Sequence, residues 1–262
     1  MTERQARTGG KVYFIGAGPG AVDLITLRGR RLIDNADCII YAGSLVNPEL
    51  FVDCRVPLHD SAGLHLDEII GLMAAVVEQG GTVARVHTGD PSLYGAIKEQ
   101  MVRLEQRGIA WEVVPGVSSA FAAAAALGAE LTQPEVTQSV IITRREGRTP
   151  VPDREHLSRL AASGATMMIF LSVGMIEDVV ADLLAGGYSP QTPVAVVMKA
   201  SWPDQRTVTG TLADIGGAVR RAGITKTAMI CVGEVFGSSQ PPAQSRLYDQ
   251  SFSHACRTQG GA

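Results

Sequence analysis

The 262 residues are poor in the groups that bind metals. The four cysteines, Cys38, Cys54, Cys231 and Cys256, are widely spaced and include no CxxC pair. Cys38 and Cys231 lie inside apolar runs, where a thiol acts as a small hydrophobe. The five histidines, at 59, 65, 87, 156 and 254, show neither HxxxH nor HExxH spacing, so no protein-ligated metal is expected. No apolar run reaches the roughly 18 residues of a membrane span. An excess of one charge is missing too. The net charge is −3 and the isoelectric point about 6.0, which gives no footprint for nucleic acid. Residues 1–10 are polar, carry Arg4 and Arg7 and lack an apolar h-region, so they do not read as a secretory signal. A reduced, cytoplasmic protein is the expectation left standing.

What the chain does have is apolar residues, 45% of the total and enough for a substantial core. They are grouped so that strand-like and helix-like segments alternate. In the first half, residues 12–15, 38–41, 83–86 and 111–114 read as strands, and residues 24–35, 66–79 and 94–107 as helices. An Ala-rich helix, capped by Ser118 or Ser119, runs on to Leu127. Such alternation predicts an α/β fold with a mostly parallel sheet. Residues 130–138 carry Pro134 and little periodicity, and read as a linker. Beyond it, strands are expected at 139–143, 167–171, 194–198 and 228–232, and helices at 155–162, 176–185 and 212–222. The sequence thus predicts two α/β domains of ordinary size, residues 11–131 and 137–236, between flexible tails 1–10 and 237–262.

Three turns follow three of the early strands. The most informative is His87-Thr88-Gly89-Asp90-Pro91-Ser92-Leu93-Tyr94-Gly95. Open α/β sheets bind ligands at the carboxyl ends of their strands. Gly89 lets the backbone approach a ligand, Pro91 stiffens the turn, and Asp90 supplies a fixed negative charge. That combination suits a small cationic or polyhydroxyl ligand rather than a pyrophosphate. The turn Gly16-Ala17-Gly18-Pro19-Gly20-Ala21 satisfies GxGxx(G/A), with Asp37 about twenty residues on, as in a dinucleotide fingerprint. Two details oppose a nicotinamide cofactor. Pro19 has no N–H to aim at phosphate. Asp37 precedes its strand, where a ribose-binding acid should follow it. The turn either borders an active site or is a plain tight turn. The third, Val114-Pro115-Gly116-Val117-Ser118-Ser119-Ala120, offers small residues for a flat ligand to lie against and hydroxyls for its polar edge, or else a simple helix cap.

Together these motifs resemble the tetrapyrrole methylases, which move a methyl group from S-adenosylmethionine to uroporphyrinogen and the precorrins. The resemblance covers about residues 11–236 and rests on Tyr13-Phe14-Ile15-Gly16-Ala17-Gly18-Pro19-Gly20, Gly89-Asp90-Pro91, Val114-Pro115-Gly116-Val117-Ser118-Ser119 and Thr192-Pro193-Val194-Ala195-Val196-Val197. The strings YAGSLV at 41–46, LTQPEVTQ at 131–138, TRREGRTPVP at 143–152 and KASWPD at 199–204, with the run 87–97, narrow it to the branch acting on carbon 11 of precorrin-4 in cobalamin biosynthesis.

The resemblance implies two α/β domains of the tetrapyrrole methylase type, an active site in the interdomain cleft, a homodimer, and S-adenosylmethionine bound folded, leaving S-adenosylhomocysteine as product. It places the donor against Pro19, Gly89, Asp90, Leu93, Ser118, Ser119, Leu171 and Ala200, with Ala228 and Met229 as further neighbours. Leu171 stands where relatives often have Met. A sulfonium is already electrophilic and the acceptor carbon electron-rich, so alignment and exclusion of water are the main requirements. Asp90 is the candidate to orient the donor, against the alternative of a helix cap; Tyr94 and Glu146 are candidates for proton handling. The carboxylates of precorrin-4 call for a basic lining, for which Arg144, Arg145, Arg148 and Lys199 are the candidates, with Arg28, Arg30 and Arg31 as solvated surface or lining. The sequence leaves open a cobalt-bearing ring, a sister precorrin methylase acting at another carbon, and a non-catalytic tetrapyrrole carrier.

Overall fold

The computed structural model describes residues 10–237. Apart from Gly10 and Gly237, both expected tails lie outside the described residues, as do His254 and Cys256. The chain divides into two compact units. The first comprises residues up to Ala122 together with Lys199–Asp204, and the second the remainder. Where the sequence suggested a break at 131–137, the division falls at Ala122–Ala123, and Lys199–Asp204 packs with the first unit.

The first unit runs β1 (Lys11–Gly16), α1 (Leu27–Asp34), β2 (Cys38–Tyr41), β3 (Leu58–Asp60), α2 (Leu66–Glu78), β4 (Val83–His87), α3 (Ile97–Glu105), β5 (Ala110–Val114) and the first half of α4 (Ser119–Ala126), the helix within which the division falls. The sheet order is β3-β2-β4-β1-β5, with every neighbouring pair parallel. The central strands are buried on both faces, which is why they read as continuous apolar runs. Val12, Phe14, Ile40 and Val83 pack on one face with Ile69, Ile70 and Met73 of α2 and Leu104 of α3. Ile15, Ile39, Ala84 and Val86 pack on the other with Ile33 of α1.

Element starts differ from the sequence reading for local reasons. Helix α1 begins after Thr26, whose hydroxyl accepts from Gly29 N at 3.0 Å, while Val22–Leu24 forms a separate 3-10 turn. Helix α3 begins at Ile97 rather than 94, because Tyr94 and Ala96 hold left-handed φ values of 56° and 48°.

The second unit runs β6 (Val140–Arg144), α5 (Leu157–Ala161), β7 (Thr166–Phe170), α6 (Ile176–Ala185), β8 (Pro193–Met198), β9 (Arg206–Thr211), α7 (Ile215–Arg221) and β10 (Ala228–Val232). Its order is β6-β7-β10-β8-β9. Only β6 and β7 pair in parallel; the other three pairs are antiparallel. The parallel expectation therefore describes the first sheet but not the second, where β8 and β9 are joined by a short connection that only an antiparallel pair allows. One core serves this sheet: Met167, Ile169, Val194, Val196 and Ile230 meet Leu157, Val179, Leu183, Ile215 and Val219. No helix among the described residues is long and apolar enough to cross a membrane.

Candidate active site

The three turns meet at the carboxyl edge of the first sheet, held by their own backbones. Ala17 N donates to His87 O at 2.7 Å, and Gly18 and Gly89 exchange a pair of hydrogen bonds at 3.3 and 2.8 Å. A Cβ on Gly16 would lie 2.6 Å from both Gly116 Cα and Gly89 O, so the glycines are required by direct backbone apposition. Asp90 ties the second turn to the third. Its Oδ2 accepts from Gly116 N at 2.9 Å and its Oδ1 from Ser92 N at 2.8 Å. The carboxylate thus makes a local turn rather than capping α3. It is half-buried, and no Lys or Arg among the described residues pairs with it.

The first turn is not free to hold a phosphate. The N–H groups of Ala17, Gly18 and Ala21 already donate to His87 O, Gly89 O and Ser201 Oγ, and Pro19 has none. Its carbonyls are engaged as well. Pro19 O accepts from Trp202 Nε1 at 2.9 Å, and Gly20 O from the buried Asn47 Nδ2 at 3.0 Å. Asp37 accepts from Thr82 N at 2.8 Å, which fixes it at the foot of β2. Both features the sequence held against a dinucleotide therefore have structural jobs.

The remaining candidates sort by position. Leu93, half-buried, donates its N–H to Asp90 O at 3.2 Å and stays within the same turn. Ser118 is buried and its hydroxyl accepts from Ala120 N at 3.3 Å, so it is the cap of α4; Ser119 is half-exposed in the first turn of that helix. Ala200 is buried in the first unit. Tyr94 is 46% exposed. In the second unit, Leu171 directly after β7 is 67% exposed at φ 54°, an unfavourable backbone for an exposed apolar residue. Ala228 and Met229 begin β10.

Two buried polar residues under the second turn escaped the sequence reading. His87 is 3% exposed, its Nε2 has no hydrogen-bond partner, and burial beside Arg85 pushes its pKa down to about 3. Arg85 is itself buried, donates from Nε to Gln100 Oε1 at 3.1 Å, and is pulled by burial to about 10. Strand alternation that leaves Arg and His inside a buried run was the only available signal.

The basic loop of the second unit is largely self-engaged. Arg144 donates to Thr149 O at 3.1 Å and Pro150 O at 2.8 Å, closing the loop on itself. Arg145 Nε bonds Asp182 Oδ2 at 2.7 Å, with Asp178 at 3.5 Å, and docks the loop on α6. Arg148 is exposed at the loop's tip. Glu146 Oε1 lies 4.0 Å from His156 Nε2. Lys199 is paired with Asp204 at 2.5 Å. Arg28 pairs with Glu112 and Arg30 with Asp34, so two of the three early arginines are engaged on the surface. Among the described residues no group of three or more His, Cys, Asp or Glu is placed to hold a metal ion.

The family model described as Tetrapyrrole (Corrin/Porphyrin) Methylases matches residues 11–216. The chain belongs to this family. Among curated relatives of this tetrapyrrole methylase, the cobalt-precorrin-4 C(11)-methyltransferase of Methanocaldococcus jannaschii is 54% identical over 249 residues, covering 94% of this chain and 96% of the relative. The X-ray structure of a cobalamin biosynthetic enzyme, cobalt precorrin-4 methyltransferase, superposes with a TM-score of 0.85 at 48% identity, over 87% of this chain and 96% of that one. The uroporphyrin-III C-methyl transferase of Thermus thermophilus, solved complexed with S-adenyl homocysteine, gives a TM-score of 0.72 at 26% identity, over 86% and 92% of the two chains. The two-sheet α/β architecture of this tetrapyrrole methylase is that of the family.

Proposed function

We propose that this methylase transfers the methyl group of S-adenosylmethionine to carbon 11 of precorrin-4, yielding precorrin-5 in cobalamin biosynthesis, in the cytoplasm and as a homodimer. The observation that carries the reading is the junction of three strand-end turns around a carboxylate that no Lys or Arg among the described residues pairs with. With the N–H groups of Ala17, Gly18 and Ala21 engaged and none on Pro19, that junction is unsuited to phosphate and suited to a ligand that brings positive charge and hydroxyls.

S-adenosylmethionine supplies an electrophilic methyl group on a positively charged sulfur. Asp90 accepts a charge-assisted hydrogen bond from the donor, a strong class of contact. Pro19, Gly89, Leu93, Ser118, Ser119 and Ala200 form the apolar and backbone surface that orients the donor and excludes water, and Leu171 is the donor contact proposed for the second unit. Because both reacting centres are already activated, the residues act chiefly by alignment. Tyr94 and Glu146 are the proposed groups for moving the ring proton that leaves after methylation. Carboxylates of the tetrapyrrole are read by Arg148 first, whose side chain is exposed, with Arg144 and Arg145 in the same loop and Lys199 in the first unit as the further proposed contacts. The 54% relative named for a cobalt substrate keeps the cobalt-bearing ring as the second reading.

Calorimetric titration with S-adenosylhomocysteine and, separately, with NADH tests the proposal. Saturable binding of the first and none of the second is expected. Binding of NADH alone would replace the reading by a reductase.

A further inference from the structure

The connection between β8 and β9 contains residues that no donor or substrate role accounts for. Trp202 lies 183 positions from Pro19 in sequence, yet its indole N–H donates to Pro19 O at 2.9 Å. A Cβ on Gly20 would lie 2.1 Å from both Cδ1 and Nε1 of the indole, so the ring is packed directly against the backbone of the first turn. One residue earlier, Ser201 Oγ accepts from Ala21 N at 3.0 Å. The strap Lys199–Asp204 thus grips three consecutive residues, Pro19, Gly20 and Ala21. Its own backbone is strained, with Lys199 at φ 49° and Ser201 at φ 71°. Lys199 closes it, pairing with Asp204 at 2.5 Å and lying 5.6 Å from the centre of the Trp202 ring. Strain of this kind persists where the surroundings over-determine it and tends to gather at functional sites.

We propose that Trp202 is a positioning residue for the methyl donor: its indole holds Pro19–Gly20 in the one backbone shape that accepts the donor. This rests on the reading that the first turn borders the donor. A proline turn with a glycine on either side has several accessible shapes, and the indole N–H and ring face select one before the ligand arrives. Preorganisation of this sort lowers the ordering cost of binding, so its loss is read in donor affinity more than in turnover of the saturated enzyme.

The test uses the full chain with Trp202→Phe, Trp202→Ala, Gly20→Ala and the double variant Gly20→Ala/Trp202→Ala, each checked for folding by circular dichroism. For Trp202→Phe the S-adenosylhomocysteine Kd and the donor KM are expected to rise together by roughly three- to tenfold, the scale of one lost hydrogen bond, with kcat and the tetrapyrrole KM within about twofold. Gly20→Ala is expected to lose donor binding and the double variant to recover part of it, because the added methyl group then has room. The chain has two tryptophans, so in a Trp111→Phe background emission reports Trp202 alone and is expected to change saturably with S-adenosylhomocysteine. If Trp202→Phe does not fold, that emission decides. Wild-type donor affinity in folded Trp202→Phe, or flat emission in the Trp111→Phe protein while it binds the ligand, overturns the inference alone. Absence of binding by the wild type sinks it together with the proposed function.

Discussion

Asp90 sits where charge, turn geometry and the proposed donor site coincide. Its two oxygens hold Ser92 N and Gly116 N, so substitution has a structural and an electrostatic component that must be separated. Asn keeps one acceptor oxygen and removes the charge. Asp90→Asn is expected to raise the S-adenosylhomocysteine Kd about tenfold or more, in line with a lost charged hydrogen bond, and to leave the tetrapyrrole KM unchanged. Unchanged donor affinity by calorimetry would remove Asp90 from the donor site. His87 makes a different prediction. Its folded pKa of about 3 lies below the ordinary 6.5, so the unfolded chain takes up a proton that the folded state refuses. Stability from this residue is complete above about pH 6.5 and falls as pH drops towards 3, by up to about 1.4 kcal/mol per pH unit. Urea unfolding at pH 7.5 and 5.5 should show the wild type losing about 1 kcal/mol more than His87→Phe. Equal losses would contradict the burial argument. Asp90 and Gly89 were legible because turn chemistry is local. The burial of His87 beside Arg85 and the grip of Trp202 were not, since they depend on which segments fold together across the chain.

At the scale of elements, the site depends on how closely three turns approach. Gly116 faces the backbones of Gly16 and Gly89, with no space for a side chain. Gly116→Ala is expected to destabilise by about 1–3 kcal/mol through overpacking and to weaken donor binding, measured by thermal unfolding and titration. Wild-type values for both would mean that the turns are not apposed. The basic loop after β6 gives a second prediction. Arg148→Gln should raise the tetrapyrrole KM several-fold, the cost of one charged contact of roughly 1–2 kcal/mol, while S-adenosylhomocysteine affinity holds. The opposite pattern would move the loop to the donor side. Elements with strong periodicity were read from sequence with correct ends, α6 and β2 among them. Strands β3 and β9 were missed. Leu58–Asp60 is three residues on a sheet edge, and Arg206–Thr211 is largely exposed and carries a glycine, so neither has the apolar run that marks a buried strand.

At the scale of the whole molecule, the two units follow different rules. In the first, helical crossovers enforce parallel pairing, and the turns proposed to carry chemistry collect on one edge because parallel strands end together. In the second, antiparallel pairing lets β8 and β9 connect through a short strap, and that strap is spent on the first unit's opening turn. The sequence revealed the alternation of elements but not the antiparallel pairing, because buried strands of either kind have similar composition. Motif order along the chain, more than composition, carried the proposal for the site. The central claim is that the edge formed around Asp90 delivers a methyl group to one particular ring carbon. Incubating the protein with precorrin-4 and S-adenosylmethionine labelled in its methyl group, then locating the label by carbon NMR, addresses it most directly. The account predicts the label on carbon 11; a label on any other ring carbon, or none incorporated, would contradict it.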